Sequence, residues 1–237
     1  MTTPMLEISD LHAWYGEAHV LHGVNFQVHQ GEVVTLLGRN GAGRTTTLRA
    51  VFGLLNRREG SIRIGGQEVI DWPAYQIAHL GLGYCPEERG IFPGLTCEEN
   101  LLLPRKLRVQ GGQAMSLDEI YQLFPNLHER RYSPGTRLSG GEQQMLAVAR
   151  ILRTGAGLLL LDEISEGLAP VIVQALAHLI RMLKERGFTI VMVEQNFHFA
   201  ASLADRFYVM EHGRIVREVL ASELSEQQAM LDELLGV

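Results

Sequence analysis

Apolar residues in the first third of the chain come in short runs separated by glycine and polar clusters. Residues 6–8, 24–28, 33–37 and 61–64 therefore read as strands, and the last of them runs into Gly65-Gly66, a two-residue hairpin signal. Residues 45–52 have the spacing of a helix. In the middle of the chain the pattern changes: residues 97–105, 116–124 and 142–153 repeat at helical spacing, with Gly111-Gly112 and Pro134-Gly135 as breaks. The last third alternates again, with strands over 158–161, 189–193, 206–210 and 214–220 and helices over 171–186 and 197–203. Short all-apolar strands separated by helices indicate a parallel sheet covered on both faces. The pattern predicts one α/β unit over residues 1–237 with a helical subdomain inserted at about 88–155, closed by a terminal surface helix from Ser222.

Bulk properties narrow the function classes. The chain has 237 residues, 46% hydrophobic and 20% charged, which is ordinary globular composition and excludes disorder, collagen-like sequence and a coiled coil. A formal net charge of −6, with no basic stripe, argues against nucleic acid as a partner. No apolar run approaches the roughly 20 residues of a membrane helix, and the first ten residues lack the pattern of a secretory signal, so a cytoplasmic location is expected. Cys85 and Cys97 form no CxxC and read as free thiols, and the nine histidines read as isolated surface or core residues.

Three strings carry chemistry. Gly38-Arg39-Asn40-Gly41-Ala42-Gly43-Arg44-Thr45 follows an apolar strand and opens a helix, the context a phosphate-binding loop requires. Its glycines let backbone N–H groups converge on phosphate, the helix N-terminus adds partial positive charge, and the Thr45 hydroxyl can ligate Mg²⁺; Thr46 extends the same group. The pattern asks for lysine where Arg44 stands, and a planar fork replaces a compact ammonium. Leu158-Leu159-Leu160-Leu161-Asp162-Glu163 ends a buried strand in two acids at the sheet edge where ligands bind. Asp162 suits Mg²⁺ held through water, and Glu163 suits a base for the attacking water; capping of the next helix is the alternative. Leu138-Ser139-Gly140-Gly141-Glu142-Gln143-Gln144 opens a helix with donors for an anion. A simple cap explains Ser139 but not the adjoining glycines.

In this order, the three strings resemble an ATP-binding cassette (ABC) nucleotide-binding domain over nearly the whole chain. The implied fold is a P-loop NTPase core with a mixed, largely parallel sheet, an N-terminal antiparallel β subregion and the inserted helical subdomain. Ser165-Glu166-Gly167-Leu168-Ala169-Pro170, Val193-Glu194-Gln195-Asn196 and Ile91-Phe92-Pro93-Gly94-Leu95-Thr96 further resemble the ATPase subunits of branched-chain amino-acid importers. The resemblance implies ATP with Mg²⁺ and a second ABC ATPase subunit, identical or related, whose nucleotide is met by Ser139, Gly140 and Gly141. It implies stacking of adenine on Tyr15, with Trp14 as the other candidate. Glu87 stands where the family has a metal-reaching glutamine, and Gln195 where most relatives have a histidine at the γ-phosphate; His198 belongs to the following helix. Transmembrane permease subunits, contacted by Ile91, Phe92 and Pro93 unless these are buried, and indirectly a solute-binding protein complete the implied partners. The location implied is peripheral, on the inner face of the cell membrane. Arg44 and Gln195 together leave a second reading open: a scaffold that dimerises on ATP but hydrolyses it weakly.

Overall fold

The computed structural model describes residues 3–107 and 114–235, so the predicted break at Gly111-Gly112 lies outside the described residues. Strands β1 (Leu6–Tyr15), β2 (Ala18–Val28), β4 (Arg57–Ile64) and β5 (Gln67–Glu68) form an antiparallel sheet in the order β2-β1-β4-β5. Strands β3 (Val33–Gly38), β6 (Leu82–Cys85), β7 (Leu158–Asp162), β8 (Thr189–Val193), β9 (Arg206–Glu211) and β10 (Arg214–Leu220) form the second sheet, β10-β9-β3-β8-β7-β6. All its pairs are parallel except β10 with β9. Helices are α1 (Arg44–Val51), α2 (Ala74–His79), α3 (Cys97–Leu102), α4 (Leu117–Leu123), α5 (Pro125–Glu129), α6 (Gly140–Leu152), α7 (Pro170–Glu185), α8 (Phe197–Ala201) and α9 (Leu224–Leu235).

The central strands are buried on both faces, and successive side chains go to opposite cores. Leu159, Leu161, Ile190 and Met192 join the cluster under the helices α3 to α7. Leu158, Leu160, Val191 and Val193 join the cluster shared with the antiparallel sheet. Each fully buried leucine contributes about 1.5–3 kcal/mol of transfer free energy, so the alternation fixes the strand register strongly.

Several boundaries differ from the pattern for local reasons. The run at residues 6–8 predicts a short strand, yet β1 continues to Tyr15 through a register shift between Ile8 and Leu11, with Asp10 at φ +49°. A bulge absorbs the polar pair Ser9-Asp10 and the alternation resumes, with Leu11 and Ala13 buried. Helix α3 stops at Leu102 rather than 105: Leu103 still keeps helical backbone, but Pro104 has no N–H to continue the ladder. Strand β6 carries little pattern signal because of Gly83, where a Cβ would lie 2.1 Å from Ile151 Cγ2 of α6. The glycine lets helix and sheet approach closely. The hairpin at Gly65-Gly66 forms as expected, with Ile64 paired to Gln67 and both glycines at positive φ. The terminal helix α9 is docked rather than merely superficial: Leu231 is fully buried, and Leu224 and Met230 pack on the core. Among the described residues, no helix is long and apolar enough to cross a membrane.

Candidate functional site

Strands β3, β8 and β7 are parallel neighbours, with Leu36 beside Val193 and Val193 beside Asp162. The segments that leave the ends of these strands therefore emerge at one edge of the sheet. The 38–45 loop, Glu163 and Gln195 line a common cavity of about 350 Å³ there, with Asn40, Gly41, Ala42, Gly43, Arg44, Thr45, Thr46, Glu87 and Glu166 on its walls.

Gly43 takes φ +104°, and a Cβ there would meet Leu21 Cδ2 at 2.9 Å, so this turn into α1 needs glycine. No side chain caps α1. Its first N–H groups are thus available to an anion, assisted by the helix dipole.

Arg44 is 96% buried, and its fork meets three oxygens at once. Nη1 donates to the Glu194 carbonyl at 2.9 Å, while Nη2 donates to Asn40 Oδ1 at 3.1 Å and to Glu163 Oε1 at 3.0 Å. A lysine ammonium could not span that triangle in the same plane. Two of the three candidate catalytic residues, Arg44 and Glu163, are thereby joined in an ion pair with both side chains largely buried, while the third, Gln195, is not part of it. Glu163 itself takes φ +48°, a left-handed conformation costly for a residue with a Cβ, and its N–H donates to the Val193 carbonyl at 2.8 Å. The bond to β8 holds the chain in that turn.

Asp162 is fully buried and accepts from Thr45 Oγ1 and Tyr84 Oη, each at 2.9 Å. Burial raises its pKa, opposed by those two hydroxyls. Of the expected metal group, Thr45 and Asp162 are thus directly linked, whereas Glu87 stands with Glu163 and Glu166, one oxygen from each lying within 4.8 Å of the others. An all-oxygen set of hydroxyl and carboxylates suits Mg²⁺. Glu87, Glu163 and Glu166 share the cavity wall with Arg44, a charge balance that fits a nucleotide arriving with a divalent cation.

Sequence reasoning missed Tyr84, Glu166 and Glu194 as members of this constellation. Glu194 is 98% buried and accepts from the Ser165 backbone N–H at 3.2 Å and Oγ at 2.7 Å, which ties the segment after β8 to the one after β7. Its position beside Gln195 in the quoted string was the available signal; only the fold shows its partner. Burial pushes Glu194 up to about 7 despite both Ser165 bonds. Burial, and then a hydrogen bond with Glu166, also push Glu163 up to about 7 against the pull of Arg44.

These shifts set a pH dependence. Between the ordinary value of 4.5 and about 7, folded Glu194 keeps a proton that the unfolded chain has released. Its contribution to stability therefore falls as pH rises through that window and levels off above it. Glu194→Gln removes the titration, so the Tm difference, variant minus parent, is expected to grow more positive from pH 5 to pH 7.5 in the nucleotide-free protein. A difference independent of pH contradicts the assignment.

Gln195 is exposed on the cavity wall, and His198 is exposed on α8, as its place in the next helix implies. Tyr15 ends β1 43% exposed, with its hydroxyl against Arg49 of α1. Trp14, the other aromatic candidate, is already engaged: His19 stacks on it at 4.2 Å and Arg57 Cζ lies 4.2 Å from its ring centroid. Ser139, Gly140 and Gly141 do not line this cavity. Ser139 caps α6 in a reciprocal box with Glu142, and Gly141 has a packing reason, since a Cβ there would meet Ile172 at 2.9 Å.

A family model described as ABC transporter matches residues 21–166, more than half of the chain. The chain belongs to the ABC transporter family. Among its relatives, the high-affinity branched-chain amino acid transport ATP-binding protein BraG of Pseudomonas aeruginosa is 40% identical over 98% of this chain and 100% of its own length. The lipopolysaccharide export system ATP-binding protein LptB of Escherichia coli is 30% identical over 94% and 93%. The dimeric structure of an ATP-binding cassette bound to ADP and phosphate superposes with a TM-score of 0.79 at 24% identity, covering 92% of this chain and 99% of that one. The α/β architecture is thus that of an ABC cassette, and this ABC protein is an ATPase, the ATP-binding subunit of a transporter.

Proposed function

We propose that this ABC ATPase drives an importer of branched-chain or other hydrophobic amino acids, or of a similarly small solute. The observation that carries this is the end-to-end match to BraG at 40% identity, against 30–33% for the relatives named for lipopolysaccharide export. In this reading Gly38, Asn40, Gly41, Ala42, Gly43, Thr45 and Thr46 hold the ATP phosphates and Tyr15 stacks on adenine. Thr45, Asp162 and Glu87 hold Mg²⁺, whose chemistry when bound is to neutralise charge on the phosphate oxygens. Glu163 takes the proton of the attacking water, with Gln195 and Arg44 as donors toward the γ-phosphate. Because Ser139, Gly140 and Gly141 stand away from this cavity, they serve the nucleotide of a second ATPase subunit, identical or related.

Permease subunits would dock at the exposed edge around Phe92 and Pro93, with Phe92 49% exposed beside Leu103 and Arg150, whereas Ile91 packs on the core of the helical region. The subunit then sits on the inner face of the membrane through its partners, with a solute-binding protein acting indirectly.

A specific observation favours a second reading, an ATP-dependent dimerising scaffold with weak hydrolysis: Arg44 pairs with Glu163, the group that has to act as base. Reconstitution with permease subunits decides between them. ATP turnover stimulated by leucine with the solute-binding protein supports the importer; ATP-dependent dimerisation with turnover unmoved by any amino acid overturns it.

A further inference from the structure

The nine histidines look isolated in the sequence, but the β1–β2 hairpin gathers three of them. His12 is the direct cross-strand partner of His22, and His19 of Trp14. The four side chains share the outward face of the hairpin, while Leu11, Ala13 and Leu21 fill the core on the other. His12 Nδ1 lies 3.0 Å from His19 Nε2, and the His19 and His22 ring centroids are 4.1 Å apart. Behind His12, its Nε2 lies 3.3 Å from Asp10 Oδ1.

We infer that His12 and His19 form a two-imidazole binding site for a borderline divalent transition-metal ion of the zinc class. Two imidazole nitrogens at about 2.0–2.1 Å from a tetrahedral zinc ion stand about 3.3 Å apart, close to the 3.0 Å here. With Asp10 accepting from His12 Nε2–H, the lone pair of His12 is left on Nδ1, aimed at His19. His19 becomes the second ligand by carrying its proton on Nδ1, and the ion takes the place of the hydrogen bond between the rings. No net proton is released. Water completes the shell.

The carboxylate behind a ligating imidazole is the arrangement that fixes a ring and raises its basicity toward a metal. Here that arrangement depends on costly backbone. Asp10 sits at φ +49° in the bulge of β1, and Gly23 opposite leaves room for its carboxylate, since a Cβ at Gly23 would lie 2.9 Å from Asp10 Oδ1. Stacking of Trp14 on His19 orients one ring, and the ring-to-ring hydrogen bond already holds the two nitrogens at ligand spacing. Imidazoles select zinc, copper or nickel over Mg²⁺, so this site and the all-oxygen cavity at the phosphate loop take different ions.

The test is Zn²⁺ alone, added at one molar equivalent to the nucleotide-free protein, with crystals measured at the zinc absorption edge and binding followed by calorimetry. The expected result is an anomalous peak between His12 Nδ1 and His19 Nε2, with affinity lowered at least tenfold in His12→Ala and His19→Ala. Asp10→Asn is expected to weaken binding by about 10–100-fold, the usual effect of losing such a supporting carboxylate. The absence of a peak at these rings, or a peak only at Glu87, Glu163 and Glu166, overturns the inference. Unchanged affinity in His12→Ala or His19→Ala overturns it equally. The diffraction measurement uses the unaltered protein and does not depend on the variants folding.

Discussion

Glu163→Gln is expected to keep ATP affinity while lowering turnover by about 10²–10⁴-fold, the usual cost of removing a positioned general base. The amide has the same shape and can still accept from Arg44, so the loop at φ +48° and its bond to Val193 should survive. What is lost is the group able to take a proton from water. Burial has already tuned that group to about 7, which suits a base working near neutral pH. With hydrolysis blocked, the ATP-bound dimer should accumulate and be visible as a doubling of mass. Undiminished steady-state turnover removes Glu163 from the role.

Arg44→Lys is the second large effect, in the opposite direction. Arg44 holds Glu163 at 3.0 Å, a buried pair that ties up one oxygen of the carboxylate. A charge-assisted hydrogen bond of this kind is worth about 1.5–3 kcal/mol. Releasing about 1.4 kcal/mol of it in the transition state is worth a factor of about ten in rate. A lysine ammonium cannot hold Glu163, Asn40 and the Glu194 carbonyl together, so single-turnover hydrolysis in this subunit's own site should rise roughly tenfold. If the subunit pairs with a related ATPase carrying the usual lysine, the partner's site is expected to be the faster one. Equal rates from both sites, together with no gain from Arg44→Lys, contradict this account.

The candidate site was legible where chemistry is written in contiguous residues. The phosphate loop, the Asp162-Glu163 strand end and the Ser139 turn each consist of a backbone conformation and its side chains within about eight positions, and each follows or opens an element with a strong apolar pattern. Contacts made by the fold were not legible. Arg44 and Glu163 lie 119 positions apart and Tyr84 and Asp162 lie 78 apart, and only the order of β3, β8, β7 and β6 brings them together. Gly83 hid β6 because a glycine chosen for close packing weakens strand patterning. The bulge at Asp10 hid the second half of β1, and with it the alignment of His12, His19 and His22. The glycines of the Ser139 turn had a hidden packing role as well, since Gly141 makes room for Ile172.

In the proposed function each hydrolysis site is shared, with Glu163 of one subunit acting on ATP faced by Ser139 of the other. ATP hydrolysis by dimers of two differently tagged copies of this chain tests it most directly. When one copy carries Glu163→Gln and the other Ser139→Arg, a shared-site dimer collects both defects in one site and leaves the other intact. About half of the parent rate is then expected, by the difference-measurement logic of paired variants. When the same copy carries both changes, each site receives one defect and hydrolysis should vanish. The reverse outcome, activity with both changes on one copy and none when they are divided, would place Ser139 on its own subunit's nucleotide and contradict the account.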